Sequence, residues 1–303
     1  MYTKDFSVIV PTWRGAIKYL PRLVDSIPNK KGIEIIVVDN SKESVSRAEI
    51  KSDREIILLH SAPERHAGGS RNDGMAIAKG KWLLFADSDD YYTCDAFDTY
   101  YSMLDSDAEI VYTGMGGIYE DTGEPSDRGD RYANAVHDYF RGTLPEMDLR
   151  LHFSSPCCKM VNHDLVNRHA IQFDEVRASN DVFFSMLTGY YAKSIAVVDK
   201  VTYIASVNRG SLTRRKDYEV SMARYMVSLR YNQFLREHKL SEYQSSIMLR
   251  YKEVCAHGLK AFFQATALLM KYRQNPFIGY SRWIKSYNKN RVRSIRESKY
   301  LVK

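Results

Sequence analysis

Long apolar runs are missing from this 303-residue chain. The best one, Ala261 to Met270, is interrupted by Gln264 and Thr266 and falls short of the roughly 20 residues that a spanning helix needs. The opening residues, MYTKDFSVIVPTW, enter a strand at once with no basic or apolar leader, so no signal peptide is expected. Cysteine is scarce: Cys94, Cys157, Cys158 and Cys255 show no CxxC spacing, which argues against a disulfide framework or a zinc site and favours the cytoplasm. The eight histidines show neither HxxxH nor His-Cys spacing and are read as structural. There is no P-loop and no GxGxxG, and no Ser/His or Cys/His arrangement stands out as a protein nucleophile with its base.

What is present is enough apolar residue, 44%, for a full core. Net charge is +7, but residues 271–303 hold ten Lys/Arg against the single acid Glu297, a local +9 that leaves −2 for residues 1–270. The body is near neutral and the basicity is confined to one end.

Strand-like and helix-like patterns alternate through the first half. FSVIVP (6–11) leads to a helix over 16–27, then IEIIVVD (33–39), EIILLH (55–60), a helix over 69–78, KWLLFAD (81–87) and AEIVYTG (108–114). Continuous apolar strands separated by helices predict an α/β fold with a Rossmann-like, mostly parallel sheet covered by helices on both faces. Ligands of such sheets bind at the C-terminal strand ends. Residues 115–135, rich in Gly, Asp and Arg, read as a loop. Strand signals stop near 215, and helices over 218–236 and 242–269 precede the tail. The expected division is an α/β domain over 1–215 and a helical C-terminal extension over 216–303.

Three strands end in polar residues with chemical potential: Pro11-Thr12, Asp39-Asn40-Ser41, and Asp87-Ser88-Asp89-Asp90. Acids clustered at the mouth of an apolar strand suggest a hard divalent cation, although helix capping by Asp90 or Thr93 is the plainer explanation. Gly68 and Gly69 precede Arg71 at an expected helix start, a setting that favours an anionic ligand. The plainer alternative is that Arg71 pairs with a strand-end carboxylate.

The order VIVPT, VVDNS, GGSRNDGMAIAKGKWLLFADSDD, KMVN and SND, over roughly residues 5–215, resembles the family 2 glycosyltransferases of GT-A fold, inverting enzymes that use nucleotide-diphosphate sugars. The resemblance implies Asp89 as the ligand of Mn²⁺ or Mg²⁺, with Asp87 facing ribose and the metal. Asp39 would read a uracil N–H, Pro11 and Thr12 would line the base pocket, and Arg71 would contact the base or diphosphate. It also implies Asp181 as the base that deprotonates the acceptor hydroxyl, Lys159 as a polar contact to donor or acceptor, and Arg209 and Ser211 near the diphosphate. Asn40 and Asn180 stand where the family carries acids. The implied donor is a UDP-sugar, transferred as a hexosyl or N-acetylhexosaminyl group to a saccharide or lipid-linked saccharide in surface-polysaccharide assembly. For Lys159 a surface position is the competing reading.

The tail interleaves Phe277, Ile278, Tyr280, Trp283 and Tyr287 with cations, which favours contact with an anionic leaflet, on the inner face of the plasma membrane, over nucleic acid. A solvated basic helix and an oligomer contact compete with that. Two rivals to a transferase are a nucleotidyltransferase, poorly served by PTWRGAIKYL, and a decayed sugar-nucleotide-binding or scaffold protein.

Overall fold

The structure, a computed structural model, describes residues 2–207 and 217–278. They form two compact units, one of residues 2–175 and 180–207, the other of 176–179 and 217–278.

The first unit is built on one eight-stranded sheet. Its strands are β1 (Lys4–Thr12), β2 (Ile33–Asp39), β3 (Ile57–His60), β4 (Gly80–Phe85), β5 (Tyr91–Tyr92), β6 (Ile110–Tyr119), β7 (Lys159–Asn162) and β8 (Ile195–Val207), in the order β3-β2-β1-β4-β7-β6-β8-β5. The β3-β2-β1-β4 half is parallel throughout, β7 runs antiparallel to both β4 and β6, β6 and β8 are parallel, and β5 is antiparallel to β8. Every residue of β2 is buried, as expected of a β-branched run covered on both faces. The chain leaves β1 for β2 on one side and returns to β4 on the other, so the switch point lies between the C-terminal ends of β1 and β4. Their ladder ends at Ile9 and Phe85. Pro11 sits beyond that point, where its missing N–H costs no bond to β4.

The helices are α1 (Leu20–Asp25), α2 (His66–Ile77), α3 (Ala96–Ser102), α4 (Asp130–Phe140), α5 (Glu146–His152), α6 (His163–Arg168) and α7 (Asn180–Tyr191). The expected helix over 16–27 contracts to α1, because Pro21 suits only a first turn. The expected loop over 115–135 is largely ordered structure. β6 continues to Tyr119 because β8 pairs with it as far as Val207, and α4 begins at Asp130. The glycines there serve close packing: a Cβ on Gly117 would lie 2.6 Å from Ser126 Oγ, and one on Gly129 would lie 2.3 Å from the Met115 carbonyl oxygen.

The second unit contains α8 (Tyr218–Glu237), α9 (Met248–Cys255) and α10 (Leu259–Lys271). Asp217 caps α8 by accepting the Val220 N–H at 3.0 Å. Tyr225, Leu229, Ile247, Val254, Ala261 and Ala265 form its core. The single helix expected over 242–269 is two, broken at Gly258, whose φ of 108° no L-residue adopts comfortably. No helix among the described residues is long and apolar enough to cross a membrane.

Candidate active site

The turn after β4 explains why so many acids stand together: they are not equivalent. Asp90 is buried, accepting the Ser206 N–H at 2.7 Å and the Tyr203 hydroxyl at 2.9 Å, while that hydroxyl accepts the Asp87 N–H at 2.8 Å. Burial, then the like charges of Asp89 and Asp87, push its carboxyl well above the usual range. Asp90 is thus a staple between the turn and β8, which settles the role that its sequence position left open. Asp87 and Asp89 remain half-exposed. Arg22 of α1 holds the turn from the other side, donating to the Asp89 carbonyl at 2.5 Å and to Ser206 Oγ at 2.9 Å while pairing with Glu120 at 3.0 Å.

Arg71 joins this turn to the start of α7. Its guanidinium pairs with Asp87 at 2.5 Å and donates to Asn180 Oδ1 at 2.9 Å, with Phe173 stacked beneath at 5.2 Å. The Arg71 side chain is only 5% exposed; burial works most strongly against its charge, and Asp87 together with Cys157, Asp181 and Tyr203 outweighs it, so the cation is held. Its pairing with a strand-end carboxylate is the plainer of the two readings made from the sequence, and it holds. The glycine reading needs correction. α2 starts at His66, so Arg71 lies beyond the first turn, and Gly68 makes room for the Asp174 carbonyl, which a Cβ would approach to 1.9 Å. The glycine serves packing of α2, not approach of a phosphate.

Asp181 stands in the first turn of α7, after Ser179 at φ 60°, an uncommon backbone for a serine. Its carboxyl is raised: burial dominates, Arg71 opposes it, and Asp87 adds to the rise. Burial, and not the helix terminus, therefore sets the direction of its titration. Arg131 of α4 also acts on Asp181 and donates to Ser154 Oγ, whose hydroxyl lies 3.1 Å from the Tyr132 hydroxyl.

Asp39 differs from the reading that gave it a base contact. Its side chain is 0% exposed; Oδ1 takes the Ser41 N–H at 3.0 Å and the Ser41 hydroxyl at 2.5 Å, and Oδ2 takes the Val45 N–H at 2.7 Å and faces His60 Nδ1 at 3.3 Å. Four partners fill a carboxylate's four acceptor sites. Burial alone would raise its pKa, but the Ser41 hydroxyl and the two N–H donors win and hold it below the usual range. Asp39 therefore shapes the loop after β2. Pro11 and Thr12 lie buried beside it, with Thr12 Oγ1 enclosed and unpaired.

Lys159 is not a surface lysine, and its amine is engaged within the protein. It is 1% exposed in β7, donates to the Phe153 carbonyl at 2.6 Å and lies 5.0 and 5.2 Å from the Phe153 and Tyr112 rings. Burial lowers its amine to about 7. Arg209 and Ser211 lie outside the described residues. Sequence reasoning missed Arg22, Arg131 and Tyr203, since each gains meaning only from distant chain. It also missed Trp13, 60% exposed at the end of β1, although a solitary Trp beside PT is a visible signal.

No group of three or more His, Cys, Asp or Glu side chains is arranged to hold a metal among the described residues. Two half-exposed carboxylates, Asp87 and Asp89, still suit a hard cation that takes its other oxygens from phosphate and water. A groove of about 830 Å³, lined in part by Tyr2, Lys79, His163 and Asp164, opens at the opposite end of the sheet, away from these acids.

Comparison with known proteins agrees with this geometry. The chain is 28% identical over 219 residues to the poly(ribitol-phosphate) beta-N-acetylglucosaminyltransferase TarS of Staphylococcus aureus, covering 68% of this chain and 36% of that protein. It is 25% identical over 300 residues to the glycosyltransferase GlyG of Streptococcus pneumoniae, covering 86% and 96%. The crystal structure of S. aureus TarS 1-349 in complex with UDP-GlcNAc superposes with a TM-score of 0.58 at 19% identity, over 94% of this chain and 92% of that one. A second, with UDP, gives 0.55 at 24% identity over 94% and 91%. These neighbours share the fold, GT-A, and the chain spans about a third of the full TarS protein. The family model for glycosyl transferase family 2 matches residues 7–169, just over half the chain, and the protein belongs to that family.

Proposed function

We propose that this protein transfers a hexosyl or N-acetylhexosaminyl group from a UDP-sugar to an acceptor hydroxyl, by one displacement with inversion, in assembly of a surface polysaccharide or glycolipid at the inner face of the plasma membrane. The observation that carries the reading is the Arg71 bridge, which ties the donor-side carboxylate Asp87 to the residue preceding Asp181 through one buried guanidinium. UDP as the nucleotide is supported by the UDP and UDP-GlcNAc complexes of the structural neighbour.

In this mechanism Asp181 takes the acceptor proton as the hydroxyl oxygen bonds to the anomeric carbon. The bond from that carbon to the diphosphate breaks on the opposite face, so an α-linked donor yields a β-glycoside. A carboxyl raised by burial is better matched to proton abstraction near neutrality than an ordinary aspartate. Asp89 and Asp87 would hold Mn²⁺ or Mg²⁺, whose chemistry here is to stabilise charge on the departing diphosphate. Arg71 keeps a fixed positive charge at the same place, and the staple from Asp90 to Tyr203 and Ser206 holds the turn in position.

The test is calorimetry of the full chain against UDP, GDP and dTDP with and without Mn²⁺, for the wild type and Asp89→Ala, followed by hydrolysis of a sugar-nucleotide panel. Metal-dependent UDP binding that the variant loses supports the proposal. Nucleotide binding indifferent to both metal and Asp89 overturns the metal assignment, and absence of all nucleotide binding overturns the reaction.

A further inference from the structure

The second unit carries a surface that sugar transfer does not use. On α10, Leu259, Phe263 and Met270 are 77%, 65% and 70% exposed, and Phe262 is 40% exposed. With the exposed Ala267 between them, positions 259, 263, 267 and 270 recur at helical spacing and form one outward stripe, bordered by exposed Lys260 and Lys271. The opposite side of the helix is committed: Ala261 and Ala265 are buried, and the Ala265 carbonyl accepts the Tyr225 hydroxyl at 2.9 Å. Phe277, beyond the helix, is also 70% exposed.

Charge says what this surface fits. From Val254 to Arg296 the chain has no Asp or Glu and nine Lys/Arg. A second copy of the chain is a poor occupant, because apposed faces would set lysine against lysine. Area points the same way: a 13-residue helix is about 20 Å long at about 1.5 Å per residue, so one face about 10 Å wide offers roughly 200 Å², against about 800 Å² per partner in a stable interface. A bilayer sets no such minimum, because inserted apolar side chains and headgroup-bound cations reinforce one another. A nucleic acid would meet the cations and leave Phe263 and Met270 in water.

We propose that this face of α10 docks on an anionic lipid bilayer, with Leu259, Phe263 and Met270 entering the interface and Lys260 and Lys271 meeting the headgroups. The surface would hold the enzyme where a membrane-bound acceptor is presented, but its existence does not depend on the transfer reaction or on the donor.

The experiment is co-sedimentation of the full chain with vesicles of phosphatidylcholine and of phosphatidylcholine with one-third phosphatidylglycerol, at about 0.1 M salt. Binding to the anionic vesicles is expected to exceed binding to the neutral ones about tenfold or more, at roughly one additive contribution per basic residue. Leu259→Ser with Phe263→Ser and Met270→Ser is expected to lower it about tenfold, while Phe263→Leu, which stays apolar, keeps it. Absence of binding to anionic vesicles overturns the proposal. So does binding that the triple variant leaves unchanged, or a wild-type dimer in sedimentation velocity that the triple variant dissociates. If the triple variant loses its helical circular dichroism, Lys260→Glu with Lys271→Glu replaces it, and a loss of at least severalfold is expected from that pair; no loss again overturns the proposal.

Discussion

Two turns at the same edge of the sheet, one after β2 and one after β4, each open with an aspartate, and the two acids do different work. Asp39 has four partners, all within 21 residues of chain, and no exposed side-chain surface. Asp87 keeps a side chain 45% exposed and pairs with a buried arginine on another element. The lesson is that a strand end makes an acid available, and the number of donors the local chain supplies decides whether it builds a loop or stays free for ligand. Within the second turn the same division recurs: Asp90 is consumed by Tyr203 and Ser206, and its consumption leaves Asp87 and Asp89 facing outward.

The strongest extension of this comparison is to a third acid, Asp181, in the first turn of α7. Asp181→Asn is expected to lower kcat by about 10³-fold with donor binding retained, the scale of losing a general base. The wild-type kcat/KM profile should rise with pH through a limb above the ordinary carboxylate range, because burial raises this group. A limb at or below that range would break the assignment.

Exchanging the roles of the two turns comes next. Asp87→Ser is expected to cost about 10²-fold in activity, and some stability as well, because buried Arg71 loses its counter-charge. Asp39→Ser should instead cost about 2–4 kcal/mol of stability by stranding the Val45 N–H and the Ser41 donors. Thermal unfolding and steady-state rates on both variants separate the two; equal losses on both scales would dissolve the distinction.

A smaller effect is expected at Arg22, which touches the turn only through the Asp89 carbonyl and Ser206. Arg22→Gln should weaken Mn²⁺-supported nucleotide binding about tenfold, as loss of a supporting contact does elsewhere. Titrating Mn²⁺ in the calorimeter checks it, and unchanged metal dependence would remove Arg22 from the site.

Lys159 leaves activity out of the comparison and gives the most specific pH behaviour. Its amine is lowered to about 7 in the folded protein and has the ordinary lysine value, about 10.4, when unfolded. Between those values the unfolded chain binds more protons, so stability rises with pH across that window. Lys159→Met removes the dependence, and the wild type should gain on the variant by at most about 1.4 kcal/mol per pH unit from pH 7 upward. Parallel denaturation curves at pH 6 and 9 would refute the buried, readily discharged amine.

Much of this was legible in the residues. β1, β2 and β4 announce themselves as apolar runs, and their ends mark the crevice, because a parallel sheet must place its ligands there. The Asp87–Asp90 cluster stands out for the same reason, whereas Asp181 was singled out only by the family resemblance. What was not legible shares one cause. Asp39 and Lys159 carry charge, and no short window of sequence shows that burial and nearby donors or acceptors engage them within the protein. The 115–135 stretch read as loop because its glycines lack side chains to pack; they are there because β6 and the chain before α4 press close together.

Composition and pattern alone determined the class of fold, the end of the sheet where chemistry occurs and the one-sided charge of the final segment. These follow from local physics: apolar periodicity, acids that need a counter-charge, and a run of cations without acids. Tertiary structure decided which acids are buried, that Arg71 reaches Asn180 across 109 residues while pairing with Asp87, that Arg22 reaches Asp89, and that α10 turns phenylalanine and methionine outward. Those outcomes depend on which donors and surfaces the fold brings together, and no short window of sequence contains them.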